Sequence, residues 1–198
     1  MQQVWTLIGL IGYFALMFSE VLHTKGKLRL ERVAVCMLAG LLIPFMLSAL
    51  IRILIMDSGR KLICIPFILA FLSDSGAYFV GCAWGKHKLA PVISPNKSIE
   101  GVLGGVAAAI LGMVIFCLVL MLAFEDTVNF AFAVTYGIFG SLAGVFGDLC
   151  FSAIKRQAGI KDYGKLIPGH GGALDRFDSM IIVAPLVELM LILLPVLE

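Results

Sequence analysis

Apolar positions in this chain come in long, nearly unbroken blocks and not at the periods of two or 3.6 that mark half-buried strands and surface helices. The blocks run 4–21, 33–56, 62–83, 102–124, 128–151 and 180–197, with short polar stretches between them. A helix rises about 1.5 Å per residue, so roughly 20 apolar residues cross a hydrocarbon layer about 30 Å thick. The pattern predicts an all-α integral membrane protein with about six transmembrane helices, forming one polytopic domain over residues 1–198. The fourth block has no charge at all, whereas the fifth carries Gly137, Gly140, Gly144 and Gly147 at spacings of three and four. Small residues on one helix face allow close approach of another helix within a membrane. The spacing leaves open whether that partner lies in the same chain or in a second copy, as in a homodimer.

Composition supports the membrane reading. The chain is 61% hydrophobic and 14% charged, against about 45–50% apolar in soluble domains, and its mean hydropathy is +1.04. Five scattered cysteines without CxxC spacing read as small packing residues and argue against zinc or disulfides. The start, Met-Gln-Gln, lacks a basic leader region, so the first block is expected to be a retained helix and not a signal peptide.

A net charge of +2 gives no reason to expect a nucleic-acid partner; the placement of the charges is more informative. Of 15 Lys and Arg, 12 fall in the segments 23–32, 83–101 and 152–178. By the positive-inside rule these three connections are cytoplasmic, with both termini on the opposite side and a cell's inner membrane the expected location. Glu20 and Arg52, near block ends, read as interfacial or snorkelling side chains, and Glu188, midway along the last block, has no evident purpose.

Chemistry concentrates in two places. Asp74 lies more than halfway along the third block, where a carboxylate is costly unless it faces a cavity, a cation or a partner. The stretch 148–178 holds nine of the chain's charged residues, four acids and five bases. Within it Asp148, Ser152 and Lys155 fall on one helix face, a loop with Gly159, Gly164, Gly169, Gly171 and Gly172 can present backbone N–H groups to an anion, and Asp175 and Asp178 open the last block. The connection 85–101 adds Lys86, Lys88 and Lys97, donors suited to phosphate, while the basic loop with Lys25 and Lys27 after the first block could attract the anionic headgroups of membrane lipid.

Four aspartates, Asp74, Asp148, Asp175 and Asp178, are hard oxygen ligands of the kind Mg²⁺ takes, usually one or two carboxylates with substrate phosphates and water. Bases interleaved with them make sense if the third component is a polyphosphate. No GxxxxGK[ST], GxSxG or HExxH pattern and no dinucleotide fingerprint occurs. Three readings remain from the residues: nucleotidyl transfer, phosphoryl transfer (which, beside the resemblance given below, means a CTP-dependent lipid kinase), and an ion-coupled transporter, the last disfavoured by the absence of an inverted repeat.

The run Ser152-x-Ile154-Lys155-Arg156, Lys161-Asp162-x-Gly164, Ile167-Pro168-x-His170-Gly171-Gly172 and Asp175-Arg176-Phe177-Asp178 resembles the motif of the phosphatidate cytidylyltransferases, or CDP-diacylglycerol synthases. Asp74-Ser75-Gly76-Ala77-Tyr78, Lys86-His87-Lys88-Leu89-Ala90-Pro91 and Glu100-Gly101 are similar to a second block of that family, so the resemblance spans a catalytic region of about 70–180. Ala173, Asn96 and Ile99 depart from the residues usual there, and many members are longer at the N-terminus.

The resemblance implies transfer of CMP from CTP to phosphatidic acid, giving CDP-diacylglycerol and pyrophosphate. It puts Mg²⁺ on Asp148 and Asp175, beside Ser152, with Asp74 aiding a second cation and Asp178 close by. Lys155, Arg156, Lys161 and Arg176 are expected to neutralise the triphosphate and the lipid phosphate, and Gly171 and Gly172 to admit them close to the backbone. His170 could orient a phosphate, protonate pyrophosphate or hold the loop; Asp162 could bind metal or pair with Lys161.

Overall fold

A computed structural model describes residues 2–23, 30–164, 172 and 174–197. The chain divides into two compact units, 1–46 and 47–198. Four helical stretches are long and apolar enough to cross a membrane: Val33–Leu54, Gly59–Trp84, Ile99–Phe124 and Phe130–Gln157. Their large apolar side chains, among them Phe79, Leu103, Leu122 and Phe146, point outward, while glycines and alanines line the contacts inside, the arrangement of helices solvated by lipid.

In the first unit lies α1 (Gln2–His23), followed by α2 (Leu30–Met37) and a wide π-type turn at Leu38–Leu42. The turn has a local cause. Pro44 has no N–H to give and its ring would strike the preceding turn, and the helix widens just before it, with the Ile43 N–H reaching back to Leu38 O. The Tyr13 hydroxyl donates to Cys36 O.

The second unit is a bundle. Past α3 (Ile43–Leu47), which closes the first unit, come α4 (Ala49–Leu54) and α5 (Gly59–Leu62); the long α6 (Cys64–Trp84), α7 (Ile99–Phe124) and α8 (Phe130–Gln157) pack together with α10 (Met180–Leu193), and the single turn α9 (Leu174–Phe177) precedes α10. Ile65, Leu69, Met113, Tyr136, Val183 and Val187 form its buried centre. Ser98 caps α7 by accepting from the Gly101 N–H at 3.1 Å, and Asn129 caps α8 by accepting from Ala131 and Phe132.

The glycine face of α8 finds its partners within the chain. A side chain at Gly137 would meet the Ile110 backbone of α7 at 2.6 Å, one at Gly140 would meet Leu69 of α6, and one at Gly147 would meet Asp178 O at 2.9 Å, just before α10. That last approach brings the beginning of α10 against the acidic part of α8.

Two expectations are corrected. The chain is mostly helical but not all-α: the basic connection between α6 and α7 is an antiparallel hairpin, β1 (Lys88–Ala90) with β2 (Ser94–Ser98), in the register Lys88 to Ser98 and Ala90 to Ser94. Pro91 and Pro95, which exclude a helix there, sit in its turn and on its open strand. Arg52 does not snorkel to the interface. Its guanidinium forks onto Glu188 of α10, at 2.5 and 2.7 Å, and this pairing explains the acid that the sequence left without purpose.

Candidate active site

At the end of the bundle where the hairpin lies, four elements converge: Asp74 of α6, Lys97 of β2, Asp148 with Ser152 and Lys155 of α8, and the α9–α10 junction with Asp175 and Asp178. A cleft of about 300 Å³ opens here, with Asp74, Tyr78, Ser94, Asn96, Lys97 and Asp148 in its wall. That volume is at the lower end of ligand pockets, about 300–1,000 Å³.

The side chains form two groups of alternating charge, one around Asp148 and one around Lys155. Asp148 accepts from the Ser152 hydroxyl at 3.1 Å through one oxygen, the i to i+4 contact its spacing predicts, and pairs with the Lys97 ammonium through the other. Lys155, 8% exposed, turns away from that column and lies 2.9 Å from Asp175 and 3.7 Å from Asp178. The Ser179 hydroxyl reaches Asp74 at 3.5 Å, linking α10 to α6.

Asp175 is held from several sides. Besides Lys155, it accepts from the backbone N–H groups of Tyr163 at 2.8 Å and Gly172 at 2.9 Å. Burial pushes its carboxyl up, but the Lys155 hydrogen bond and the two backbone N–H groups outweigh this and keep it below the usual carboxylate range. Asp178 goes the other way. Burial first, and then the Asp148 charge, push it up to about 6, with Asp74 adding to the rise against the Ser179 N–H and Lys155. Tyr163 was not legible in the sequence, because its contribution is largely geometric: its N–H holds Asp175, its hydroxyl donates to Phe151 O, and its ring lies 5.3 Å below the Lys155 ammonium.

Of the other residues singled out from the sequence, Arg156 is exposed and its Nε–H donates to Ile93 O in the hairpin turn at 3.2 Å. Lys161 and Arg176 are exposed, as are Lys86 and Lys88, which lie outside the cleft wall on the hairpin. Gly172 is buried and contributes its N–H. His170 and Gly171 lie outside the described residues. Among the described residues no three acids, histidines or cysteines form a ready-made metal cluster. The donor set nevertheless suits a divalent cation. Asp74, Asp148, Asp175 and Asp178 against Lys97 and Lys155 leave a formal charge of about −2 at this end of the bundle, and Mg²⁺ asks only one or two carboxylates of a protein.

The chain is 39% identical over 192 residues to a phosphatidate cytidylyltransferase of Staphylococcus epidermidis, covering 96% of this chain and 71% of that protein. It is 38% identical over 189 residues to the enzyme so named in Staphylococcus haemolyticus, covering 94% and 69%, and 38% identical over 192 residues to that of Staphylococcus aureus, covering 96% and 71%. The model of the cytidylyltransferase family matches residues 1–194, and the chain belongs to that family of nucleotidyltransferases.

Proposed function

We propose that this chain transfers CMP from CTP to phosphatidate, forming CDP-diacylglycerol and pyrophosphate for phospholipid synthesis. The observation that carries the reading is the cleft at one end of membrane-length helices where Asp74, Lys97 and Asp148 meet, in a chain whose relatives bear that enzyme's name. The lipid stays in the bilayer while its phosphate reaches a cleft that carries Asp74, Lys97 and Asp148 in its wall and is open to a soluble nucleotide.

In the reaction a phosphatidate oxygen bonds to the α-phosphorus of CTP as the bond from that phosphorus to the bridging oxygen breaks, and pyrophosphate departs with the electron pair. The nucleophile is already anionic, so no general base is needed, and catalysis is a matter of position and charge neutralisation. Asp148 and Asp175 would hold Mg²⁺, with Asp74 beside Asp148 in the cleft for a second cation. The metal supplies charge neutralisation of the triphosphate. Ser152 orients Asp148, and Lys155 with the Tyr163 and Gly172 N–H groups orients Asp175. Lys97 is placed to exchange the Asp148 carboxylate for a substrate phosphate, and Arg156 ties the hairpin that carries Lys97 to the end of α8.

We read the topology as six crossings, the runs 4–21 and 180–197 completing the four membrane-length helices, with the cleft cytoplasmic and both termini on the opposite side. A C-terminal alkaline phosphatase fusion is then active and a green fluorescent protein fusion at the same point is dark. The reaction is tested by giving CTP and phosphatidate to vesicles containing the purified chain. CDP-lipid and pyrophosphate are expected; release of CDP would mean γ-phosphoryl transfer and a lipid kinase, and ion movement without either product would mean a transporter.

A further inference from the structure

The hairpin has two sides with different company. Inward, it is fastened at three points: Lys97 pairs with Asp148, Ile93 O accepts from Arg156, and at its base Glu100 accepts from the backbone N–H groups of Lys86 and His87 and pairs with the His87 ring at 2.6 Å. Outward it presents Lys86 and Lys88, both exposed, with Val92 89% exposed at the turn and Trp84 68% exposed at the end of α6.

The hairpin joins two helices of membrane-crossing length, one ending at Trp84 and the next starting at Ile99, so residues 85–98 lie where bilayer meets water. That connection contains three lysines and no Asp or Glu. A tryptophan at a span end is the residue that seats in the headgroup layer, and lysines near a membrane surface each gain about 1 kcal/mol from anionic lipid.

We infer that the outer side of the hairpin is a docking surface for anionic lipid headgroups of the surrounding leaflet, distinct from the lipid substrate. Trp84 seats it in the interface and Lys86 and Lys88 gather the anions, so that the strand carrying Lys97 is braced between the cleft and the membrane. This reassigns Lys86 and Lys88 from substrate contacts to membrane contacts. It rests on the membrane-bound transferase reading for its consequence, though the surface itself is separately measurable.

The experiment uses the full chain with Trp5→Phe, leaving Trp84 as the one tryptophan, in vesicles of about two-thirds phosphatidylcholine and one-third phosphatidylglycerol. Bromine is carried on the acyl chains of one lipid or the other. Quenching of Trp84 by the brominated phosphatidylglycerol above its mole fraction is expected, and salt weakens it. In Lys86→Gln/Lys88→Gln the preference falls by about thirtyfold, the equivalent of two lysines, and Lys86→Arg/Lys88→Arg restores it. Quenching in proportion to mole fraction, or a preference unchanged in the glutamine variant, overturns the inference. So does enrichment of phosphatidate with none of phosphatidylglycerol, which would return the lysines to the substrate site. The same vesicles given CTP and phosphatidate separate the two ideas. CDP-lipid formed without phosphatidylglycerol preference sinks the docking surface alone, whereas the preference without CDP-lipid supports the surface and sinks the transferase reading.

Discussion

Lys155 shows how one side chain can organise the charges around it. Nearly buried, it is affordable only because Asp175 and Asp178 face it, and Asp175 is in turn fixed by two backbone N–H groups. Removing one partner of such a pair leaves a buried charge uncompensated, at a cost of about 3–5 kcal/mol. Asp175→Ala is expected to lower stability toward that range, read from thermal unfolding in detergent. Asp175→Asn keeps an oxygen for the Tyr163 and Gly172 N–H groups but still removes the charge facing Lys155, and should lose part of that stability and all CDP-lipid formation. Asp148→Asn is expected to do the same, with Ser152 still able to hydrogen-bond to it. Turnover persisting in either asparagine variant would remove that residue from the proposed metal site. Chelation of Mg²⁺ should stop the wild-type reaction and its re-addition restore it.

At the scale of elements, contact between helices depends on what is missing from their surfaces. Gly137 and Gly147 let α8 lie close enough to α7 and to the start of α10 that an added side chain would meet backbone atoms. Gly137→Val should therefore destabilise the bundle by about 1–3 kcal/mol through overpacking, seen as a lower melting temperature with the particle mass unchanged. A change in particle mass instead would place the glycine face at an interface between copies. Glycine spacing was legible in the sequence; which helix it faced was not, because spacing defines a stripe on one helix and says nothing of its neighbour. The hairpin was half legible. Its prolines and lysines marked it as something other than a helix, but strand pairing depends on residues across the turn meeting in register.

Over the whole second unit, the two ends of the bundle use charge differently. One end gathers the acids and lysines of the cleft, whereas Lys61 pairs with Asp126 at 2.7 Å and lies over the Phe124 ring near the start of α6, and the half-buried pair of Arg52 with Glu188 ties α4 to α10. Glu188→Ala is expected to cost about 1 kcal/mol by taking the carboxylate from Arg52, which keeps Ser48, and Arg52→Met with Glu188→Leu to recover most of it; a double variant as unstable as the single one would show that the pair does more than satisfy itself.

By itself the sequence determined the membrane-length helices, the acidic and basic residues gathered at their ends, and a motif specific enough to point to the cytidylyltransferases. Hydropathy is a sum over neighbours in the chain, and a motif is a list of neighbours, so both survive without coordinates. Only the tertiary structure decided that Lys97 answers Asp148, that Lys155 turns to Asp175, and that Arg52 meets Glu188 from 136 residues away. A charge in an apolar setting takes whichever opposite charge the packing of helices brings within reach, and that packing is a property of the folded bundle, not of any one segment.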